Sequence, residues 1–139
     1  HLSYPPFVVN LPRDAEGDLR VDGWVGGKRV LSRSMSADRS RDQLLVRPDD
    51  LHLAAGEVDA TRVVLGVADR YGNWRASSEG PVRFSVRGPG ELVGDNPLDV
   101  AGNGGVGAVW IRSTGRPGDI RLSVDHEVFG HREIGFHVG

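Results

Sequence analysis

Two short strings in this chain contain residue types that hold cofactors or metals in other proteins. The first, residues 102–107, is Gly-Asn-Gly-Gly-Val-Gly, which fits the G-x-G-x-x-G pattern of dinucleotide-binding folds. That pattern works only between a strand and a helix, because the amino end of the helix holds the pyrophosphate. Here it precedes the β-forming run 108–112, and Gly115 and Pro117 soon end any helix. We therefore predict a flexible hairpin loop and no cofactor.

The second string, residues 126–131, is His-Glu-Val-Phe-Gly-His. It is similar to the helical zinc motif of metalloproteases, but its histidines are five positions apart instead of four. On a helix this spacing rotates the two side chains by ~140° from each other, so they cannot share one metal. Gly130 also favours a turn. We predict a loop with two solvated histidines, no metal site, and no assigned role for His126 and His131.

Carboxylates are the third candidate for chemistry, because a glycosidase needs two of them held ~5–10 Å apart across a cleft. Asp49, Asp50 and Asp95 lie near turn-forming residues. Aspartate commonly caps turns by accepting hydrogen bonds from nearby backbone N–H groups, and we expect that role here. A calcium site built from Asp49, Asp50 or Asp69 with carbonyl oxygens is the alternative. No catalytic residue is predicted.

The three tryptophans matter because aromatic faces serve as stacking platforms for sugars. Trp110 lies in an apolar strand, so we expect it in the core. Trp24 opposes the face of its strand that carries Leu19 and Val21, so it is either exposed or covers a domain contact. Trp74 follows a turn and is expected to meet solvent. Trp74 and Trp24 are therefore the candidate sugar-binding residues, with packing against neighbouring groups as the alternative.

Composition limits the classes of protein to which the chain can belong. Its 139 residues suggest one domain, or one domain plus a fragment of a neighbour, and 20 glycines and 8 prolines indicate many turns. A net charge of -2 does not indicate the excess of positive charge that binds nucleic acid or an anionic membrane. The absence of cysteine excludes disulfides, thiol catalysis and Cys-ligated zinc. No apolar run approaches the ~20 residues that cross a bilayer.

The elements that must position these residues are short strands. Apolar and polar residues alternate in runs around residues 63–67, 82–86, 120–124 and 134–138, which is typical of half-buried antiparallel strands. Residues 43–47 and 106–112 are further strand candidates, and residues 49–57 offer at most one helical turn. With the strands flanking Gly26-Gly27, about eight strands at sandwich-like spacing are expected. The sequence predicts an all-β, immunoglobulin-like antiparallel sandwich.

The N-terminal part of the chain differs from the rest. Prolines favour an extended tether or an edge strand over residues 1–16, whereas Asp18–Val25 and Lys28–Ser34 form a predicted hairpin. Residues 34–42 are polar and without periodicity. We therefore divide the chain into a tether and hairpin over residues 1–42 and a sandwich over residues 43–139. The first part is either a piece of the same sandwich or the edge of a preceding domain.

Taken in order, several motifs resemble the C-terminal region of bacterial glycoside hydrolase family 2 proteins of the β-galactosidase type. The resemblance spans residues 7–138 and rests on the hairpin Gly17–Trp24 with Gly27-Lys28, the stretches 42–50 and 59–64, the turn Asp69-Arg70-Tyr71-Gly72-Asn73, the segment 88–97 and the strand 110–112. The turn is also similar to that of invasin-type adhesion repeats. Asp69, Tyr71, Gly72 and Asn73 are accordingly expected to form a structural turn.

The resemblance implies a bacterial protein, either cytoplasmic or secreted, and a non-catalytic accessory module, since the barrel that carries the two catalytic glutamates is not in this sequence. The expected partners are other domains of a parent glycosidase. Two alternatives stay open: a carbohydrate-binding module that uses Trp74 and Trp24, and an adhesion repeat. The resemblance offers no role for His126 and His131.

Overall fold

A computed structural model describes residue 10, residues 17–76 and residues 80–139. Within these ranges every regular element longer than three residues is a β-strand, and no helix is long and apolar enough to cross a membrane. The strands are β1 (Leu19–Val25), β2 (Lys28–Met35), β3 (Gln43–Pro48), β4 (His52–Leu53), β5 (Ala60–Ala68), β6 (Pro81–Arg87), β7 (Gly90–Val93), β8 (Leu98–Asp99), β9 (Val106–Ser113), β10 (Gly118–His126) and β11 (Gly130–Val138). The tether predicted over residues 1–16 lies outside the described residues, Asn10 excepted.

Nine of these strands form two sheets that pack face to face. One sheet has five strands in the order β4-β11-β10-β6-β8, and the other has four in the order β3-β5-β9-β7. Pairing is antiparallel throughout both sheets except between β11 and β4. The prediction of an all-β, immunoglobulin-like antiparallel sandwich is therefore confirmed.

The core lies between the two sheets because each long strand is apolar on one face. In β10, Ile120, Leu122 and Val124 are fully buried, whereas the intervening Asp119 and Arg121 are exposed. The same alternation buries Val63 and Leu65 of β5. The remaining buried core members are Leu44, Leu53, Val82, Phe84, Leu98, Val100, Val109, Ile111, Phe136 and Val138. Period-two patterning thus fixes which face of each strand is turned inward.

The glycine string at residues 102–107 does not form the hairpin loop expected from the sequence. It begins within a single 3₁₀ turn, Ala101–Asn103, and continues into β9. This segment connects β8 of the five-stranded sheet to β9 of the four-stranded sheet, so it crosses between layers. A strand, β9, follows the glycines, whereas the dinucleotide-binding motif needs a helix there.

Residues 49–57 contain the short strand β4 and no helical turn. Asp50 accepts a hydrogen bond from the backbone N–H of His52 at 2.9 Å, which closes the bend before β4. His52 and Leu53 then pair with His137 and Val138 of β11 in parallel register. This segment therefore extends the five-stranded sheet at its edge.

The hairpin of β1 and β2 forms a separate two-stranded sheet that pairs with neither sheet of the sandwich. Its turn is Gly26-Gly27, and both glycines have positive φ, +55° and +76°. Two successive residues with positive φ match the twist of the flanking strands, so this pair suits a two-residue hairpin. A bulge lies at Gly23/Trp24 in β1, just before the turn. The predicted hairpin is present, while the domain boundary near residue 42 stays a prediction.

Candidate functional site

A buried aspartate occupies the end of β5, where the chain leaves the sandwich. Asp69 is only 1% exposed. Its Oδ1 accepts hydrogen bonds from the backbone N–H groups of Tyr71 at 2.8 Å and Asn73 at 2.9 Å. Its Oδ2 accepts the backbone N–H of Ser36 at 2.9 Å, and the Asn73 side-chain amide donates to the same carboxylate. One carboxylate therefore satisfies a whole set of otherwise orphaned donors.

These hydrogen bonds also decide the ionisation of Asp69. Burial alone raises the pKa of a carboxyl group because it disfavours the charged form. Here the donors from Ser36, Asn73 and Tyr71 outweigh burial and hold the pKa of Asp69 well below its usual range. The charged form is thus the one that the folded structure stabilises.

The turn that follows Asp69 has the geometry that its residue types favour. The Gly72 N–H donates to the Asp69 carbonyl oxygen at 2.9 Å, and the Asp69 N–H donates to the Asn73 carbonyl oxygen at 2.9 Å. Gly72 has a φ of +82°, a left-handed conformation that side chains disfavour. Tyr71 is exposed at the apex. The structure thus brings Asp69, Tyr71, Gly72 and Asn73 together in one closed turn.

The same turn holds the β1–β2 hairpin. The Asn73 amide donates to the Ser34 carbonyl oxygen at 2.7 Å, next to the bond from Ser36 to Asp69. Arg70 pairs with Asp18, the Tyr71 hydroxyl donates to the same carboxylate, and Ser36 Oγ donates to it at 2.9 Å. The hydrogen bond from Tyr71 and the contact with Arg70 lower the pKa of Asp18.

Arg75 fixes the segment between hairpin and sandwich. Its guanidinium pairs with Asp42 at 2.7 Å, and both side chains are largely buried. It also donates to the carbonyl oxygens of Ser36 at 2.7 Å and Asp38 at 3.3 Å. The side-chain hydrogen bond to Asp42 raises the pKa of Arg75. Together, the residues around Asp69 and Arg75 form what we call the polar joint: Asp18, Ser34, Ser36, Asp42, Asp69, Arg70, Tyr71, Asn73 and Arg75.

The structure places the tryptophans on two different sheets. Trp24 lies on the hairpin and is 62% exposed. Trp74 is half-buried and forms a bridge to Ala68 at the end of β5. The guanidinium of Arg47 lies 5.2 Å from the Trp74 ring centroid, so an arginine already occupies space over this ring. The two candidate sugar-binding residues therefore do not form one platform, and their sugar-binding role stays a prediction.

The expectation that Trp110 belongs to the core is wrong. Trp110 is 47% exposed, whereas its neighbours Val109 and Ile111 are fully buried. Strand β9 carries apolar residues on both faces, so composition alone does not tell which set is turned inward. Strict alternation around Val109 and Ile111 would have placed Trp110 outward.

The expectation of two solvated histidines is wrong for His126. His126 is buried at the end of β10, where its Nδ1 accepts the N–H groups of Val128 at 3.1 Å and Phe129 at 3.4 Å. His131 is exposed and its Nδ1 lies 2.8 Å from Asp125. His131 pairs with Asp125, the residue before His126, and consecutive strand residues point to opposite faces. His126 and His131 therefore lie on opposite sides of the sheet. His126 thus closes the β10–β11 turn by accepting two backbone N–H groups of that turn. The sequence string 126–131 does not predict this role.

Two of the three carboxylates singled out in the sequence, Asp49 and Asp50, make side-chain contacts in the structure. Asp49 pairs with Arg62 at 2.9 Å, and Asp50 caps the bend at His52. Asp95 is exposed. In the described ranges, no group of three or more His, Cys, Asp or Glu side chains is arranged to hold a metal ion. Asp49 and Asp50 act as turn and ion-pair residues, and Asp69 as the centre of the polar joint.

Comparison with known proteins identifies the sandwich. Residues 44–135 match the model of the family described as glycoside hydrolase family 2 C-terminal domain 5. A β-galactosidase of Rhizobium radiobacter is 36% identical over 121 residues, which cover 87% of this chain and 86% of that sequence. A β-galactosidase of Thermoanaerobacter pseudethanolicus is 32% identical over 130 residues, 87% of this chain but 17% of that protein.

Solved structures show the same fold at low identity. A β-glycosidase from Bacteroides vulgatus matches 89% of this chain with a TM-score of 0.76 and 18% identity, over 18% of its own length. A glycosyl hydrolase family 2 member from Bacteroides cellulosilyticus matches 90% of this chain with a TM-score of 0.67 and 19% identity, again over 18% of its length. The chain therefore spans under a fifth of these two longer proteins.

Proposed function

The chain belongs to the glycoside hydrolase family 2 C-terminal domain 5 family, and from this premise we propose that it is a non-catalytic accessory module that packs against other domains of a parent glycosidase. In this role the sandwich supports the parent's fold, and the β1–β2 hairpin makes the contact. The names of its relatives suggest a parent of the β-galactosidase type.

One observation carries the packing role: an apolar face of the hairpin that nothing in the described residues covers. Val21, Leu31 and Met35 lie on one side of the β1–β2 ribbon, and each is about half exposed, at 49%, 52% and 52%. Arg33, which pairs with Val21, lies on the same side, so this face is apolar apart from one arginine. The Leu31 side chain lies over Gly23. A ribbon of two strands is only marginally stable in water by itself. An exposed apolar face on such a ribbon supports a contact with a further layer of protein.

The polar joint supports the same proposal because it sets the direction in which this face points. Asp69 and Arg75 bind the hairpin and its linker through mostly buried, charge-assisted hydrogen bonds. Bonds of this kind are shorter and stronger than neutral ones. A hairpin held in one orientation presents a preformed surface, which lowers the entropy cost of docking.

The non-catalytic role is supported by the state of the carboxylates. Asp49 is paired with Arg62, Asp50 caps a bend, and the ionised Asp69 is surrounded by donors. A glycosidase acid must hold a proton near neutral pH, whereas hydrogen bonds from backbone N–H groups lower the pKa of Asp50 and of Asp69. Hydrolysis in a longer parent would then take place in a different part of that protein. The adhesion-repeat alternative gains no support from any observation on the described residues.

The packing proposal is tested by placing one substitution in two contexts. Leu31→Ser is introduced into the 139-residue chain and into the polypeptide encoded by the complete reading frame of the gene. We expect no change in thermal unfolding for the chain, because Leu31 is already half exposed there. In the longer polypeptide we expect Tm to fall by about 2–4 °C, because the substitution places a serine hydroxyl in an apolar contact between domains.

A matched control is Val128→Ser, which alters an apolar side chain that is 75% exposed at the β10–β11 turn. It should leave both polypeptides unchanged. A reading frame that encodes no further domain, or equal effects of Leu31→Ser in both contexts, would contradict the packing role. Hydrolysis of p-nitrophenyl β-galactoside by the 139-residue chain would contradict the non-catalytic role.

A further inference from the structure

The outer faces of the two sheets in the sandwich differ in chemistry. The five-stranded sheet turns charged and polar side chains outward from β6, β10 and β11: Arg83, Ser85, Arg87, Asp119, Arg121, Ser123, Asp125, His131, Glu133 and His137. The four-stranded sheet turns Val64, Ala108 and Trp110 of its two central strands and Val93 of the edge strand β7 outward. The charged residues on this face are Arg47, Arg62, Glu91 and Arg112, which lie around the apolar ones. A sheet face that meets only solvent is ordinarily polar, so the second face needs an explanation.

Trp110 lies at the centre of this apolar face. It pairs with Arg62 of β5 on one side and with Val93 of β7 on the other. The flanking residues Val109 and Ile111 are fully buried, so the backbone beneath the indole is anchored in the core. The ring is therefore presented at a fixed position with about half of its surface in water, which suits a stacking surface with little entropy to lose.

Two ion pairs flank the indole. Arg62 Nε lies 2.9 Å from Asp49 Oδ2, and Arg112 contacts Glu91 Oε1 through Nε at 3.1 Å and Nη2 at 3.0 Å. All four side chains remain about half exposed. Donors and acceptors are thus held next to Trp110 while keeping atoms free to bond a ligand, which is how a few polar groups orient a ligand in a mostly apolar site.

The size of the patch decides between two kinds of occupant. An indole that is 47% exposed offers roughly 100 Å² of surface, and the small side chains of Val93, Val64 and Ala108 each add less. A stable protein interface buries about 800 Å² on each partner. The apolar patch, bounded by charged pairs, falls far below that area, but it matches one or two sugar rings.

We propose that Trp110, with the pairs Arg62–Asp49 and Arg112–Glu91, forms a binding site for a neutral pyranose unit of a saccharide. The apolar C–H face of the sugar ring packs on the indole, and its equatorial hydroxyls bond the guanidinium and carboxylate groups at either side. This site is separate from the hairpin contact, so either proposal can fail without the other.

The other two tryptophans serve this proposal as internal comparisons. Trp74 is half-buried with Arg47 over its ring, and Trp24 lies on the hairpin away from any sheet of the sandwich. Trp24 also has ion pairs beside it, since Asp22 lies 3.0 Å from Arg20 and 3.8 Å from Arg29, but it lies next to a bulge on a two-stranded ribbon. The Trp74 ring lies over Gly66 of β5, so it shares the outer face of the four-stranded sheet with Trp110. A ligand that merely prefers indole surface would favour Trp24, the most exposed of the three tryptophans.

The experiment follows the three indole N–H signals of the ¹⁵N-labelled chain by NMR. β-1,4-Galactotetraose, cellotetraose and xylotetraose are each titrated to about 10 mM, which detects a Kd in the millimolar range. We expect at least one saccharide to shift the Trp110 signal to saturation while the Trp24 signal stays in place. Assignment of the signals comes from the single Trp→Ala variants.

Trp110→Ala should weaken binding at least about tenfold, equivalent to ~1.4 kcal/mol, and Trp110→Tyr should retain binding because an aromatic face remains. Trp24→Ala is the matched control and should bind as the unaltered chain does; unchanged Tm values show that each variant folds. A flat response to all three saccharides overturns the proposal, as does binding that survives Trp110→Ala. A Trp110 signal that moves with protein concentration alone also overturns it, because it would assign the face to contacts between copies.

Discussion

Strands of the sandwich and of the hairpin both turn apolar residues toward one face, yet these faces end in opposite states. In the sandwich, Leu122 and Val63 face a second sheet and are fully buried. In the hairpin, Leu31 and Met35 share a face with Val21 and remain about half exposed. The sandwich strands face a second sheet, whereas the hairpin has no second layer among the described residues and has Arg33 on the same face. Alternation therefore tells which face of a strand is apolar, but not what covers that face.

The two regions also differ in what holds them in place. The sandwich is held by a continuous apolar core between its sheets. The hairpin is held through the polar joint, where Asp69 binds Ser36 and Asn73 while Arg75 binds Asp42. Truncating a buried apolar side chain costs stability in proportion to the apolar area that it removes. Removing one member of a buried carboxylate network costs more than that member's own contacts, because its partners are left unpaired. The two regions should therefore respond to different substitutions.

The largest effect is expected from truncating a leucine in each region. Leu122→Ala removes a fully buried side chain from the middle of β10 and leaves a cavity, so the free energy of unfolding should fall by about 3 kcal/mol. Leu31→Ala removes a half-exposed side chain and should stay within about 0.5 kcal/mol of the unaltered chain. Urea unfolding followed by fluorescence measures both. Equal losses would show that the hairpin face is covered and would abolish the contrast.

The sequence predicted the sandwich well because its strands bury one face each. Residues 82–86 and 120–124 alternate clearly, and the structure turns their apolar members inward. In 63–67 the predicted set Val63, Leu65 and Val67 is buried, although Val64 between them is apolar too. Prediction of strands and of buried faces failed where a strand is apolar on both faces or too short to show a period. Strand β9 is apolar on both faces, so Trp110 was misplaced, and β4 and β8, two residues each, are too short to show a period.

The candidate sites were less predictable because they depend on contacts between distant segments. The motif Asp69–Asn73 indicates a turn, but nothing local shows that Ser36, 33 positions earlier, donates to its carboxylate. Arg75 and Asp42 are likewise 33 positions apart. The string 126–131 predicts a loop that begins at His126, whereas β10 extends through His126. Its inward alternation with Val124 was the signal that would have placed it.

A smaller effect is expected from Asp69→Ala, which sharpens the contrast at the joint. The substitution leaves the buried N–H group of Ser36 and the partly buried N–H groups of Tyr71 and Asn73 without their acceptor. We expect the free energy of unfolding to fall by about 2 kcal/mol. We also expect the substitution to accelerate amide hydrogen exchange more in the hairpin than in β10. Asp95→Ala, at an exposed carboxylate, is the matched control and should change stability by less than about 0.5 kcal/mol. Uniform acceleration across both regions would contradict a local joint.

The smallest expected effect is a pH dependence that also originates at the joint. The pKa of Asp69 in the folded chain is well below its usual range, while the unfolded chain has a value of about 3.9. Because the folded-state pKa is depressed, its stabilisation is complete above the unfolded pKa and is lost as the pH falls toward the folded value. Between pH 5 and pH 3 this one group should cost about 1 kcal/mol of unfolding free energy.

Comparing the unaltered chain with Asp69→Asn isolates that contribution. The amide cannot ionise, so the variant is less stable at pH 7, but its stability should fall less steeply between pH 5 and pH 3. Asp18 also has a lowered pKa, from hydrogen bonds with Tyr71 and Arg70, and it titrates in both proteins, so its contribution cancels in the comparison. Asp95→Asn, at an exposed site, should retain the full slope. If Asp69→Asn kept that slope as well, the loss of stability in acid would have to arise from groups other than Asp69. The charge of Asp69 would then be no more important for the hairpin than for the sandwich.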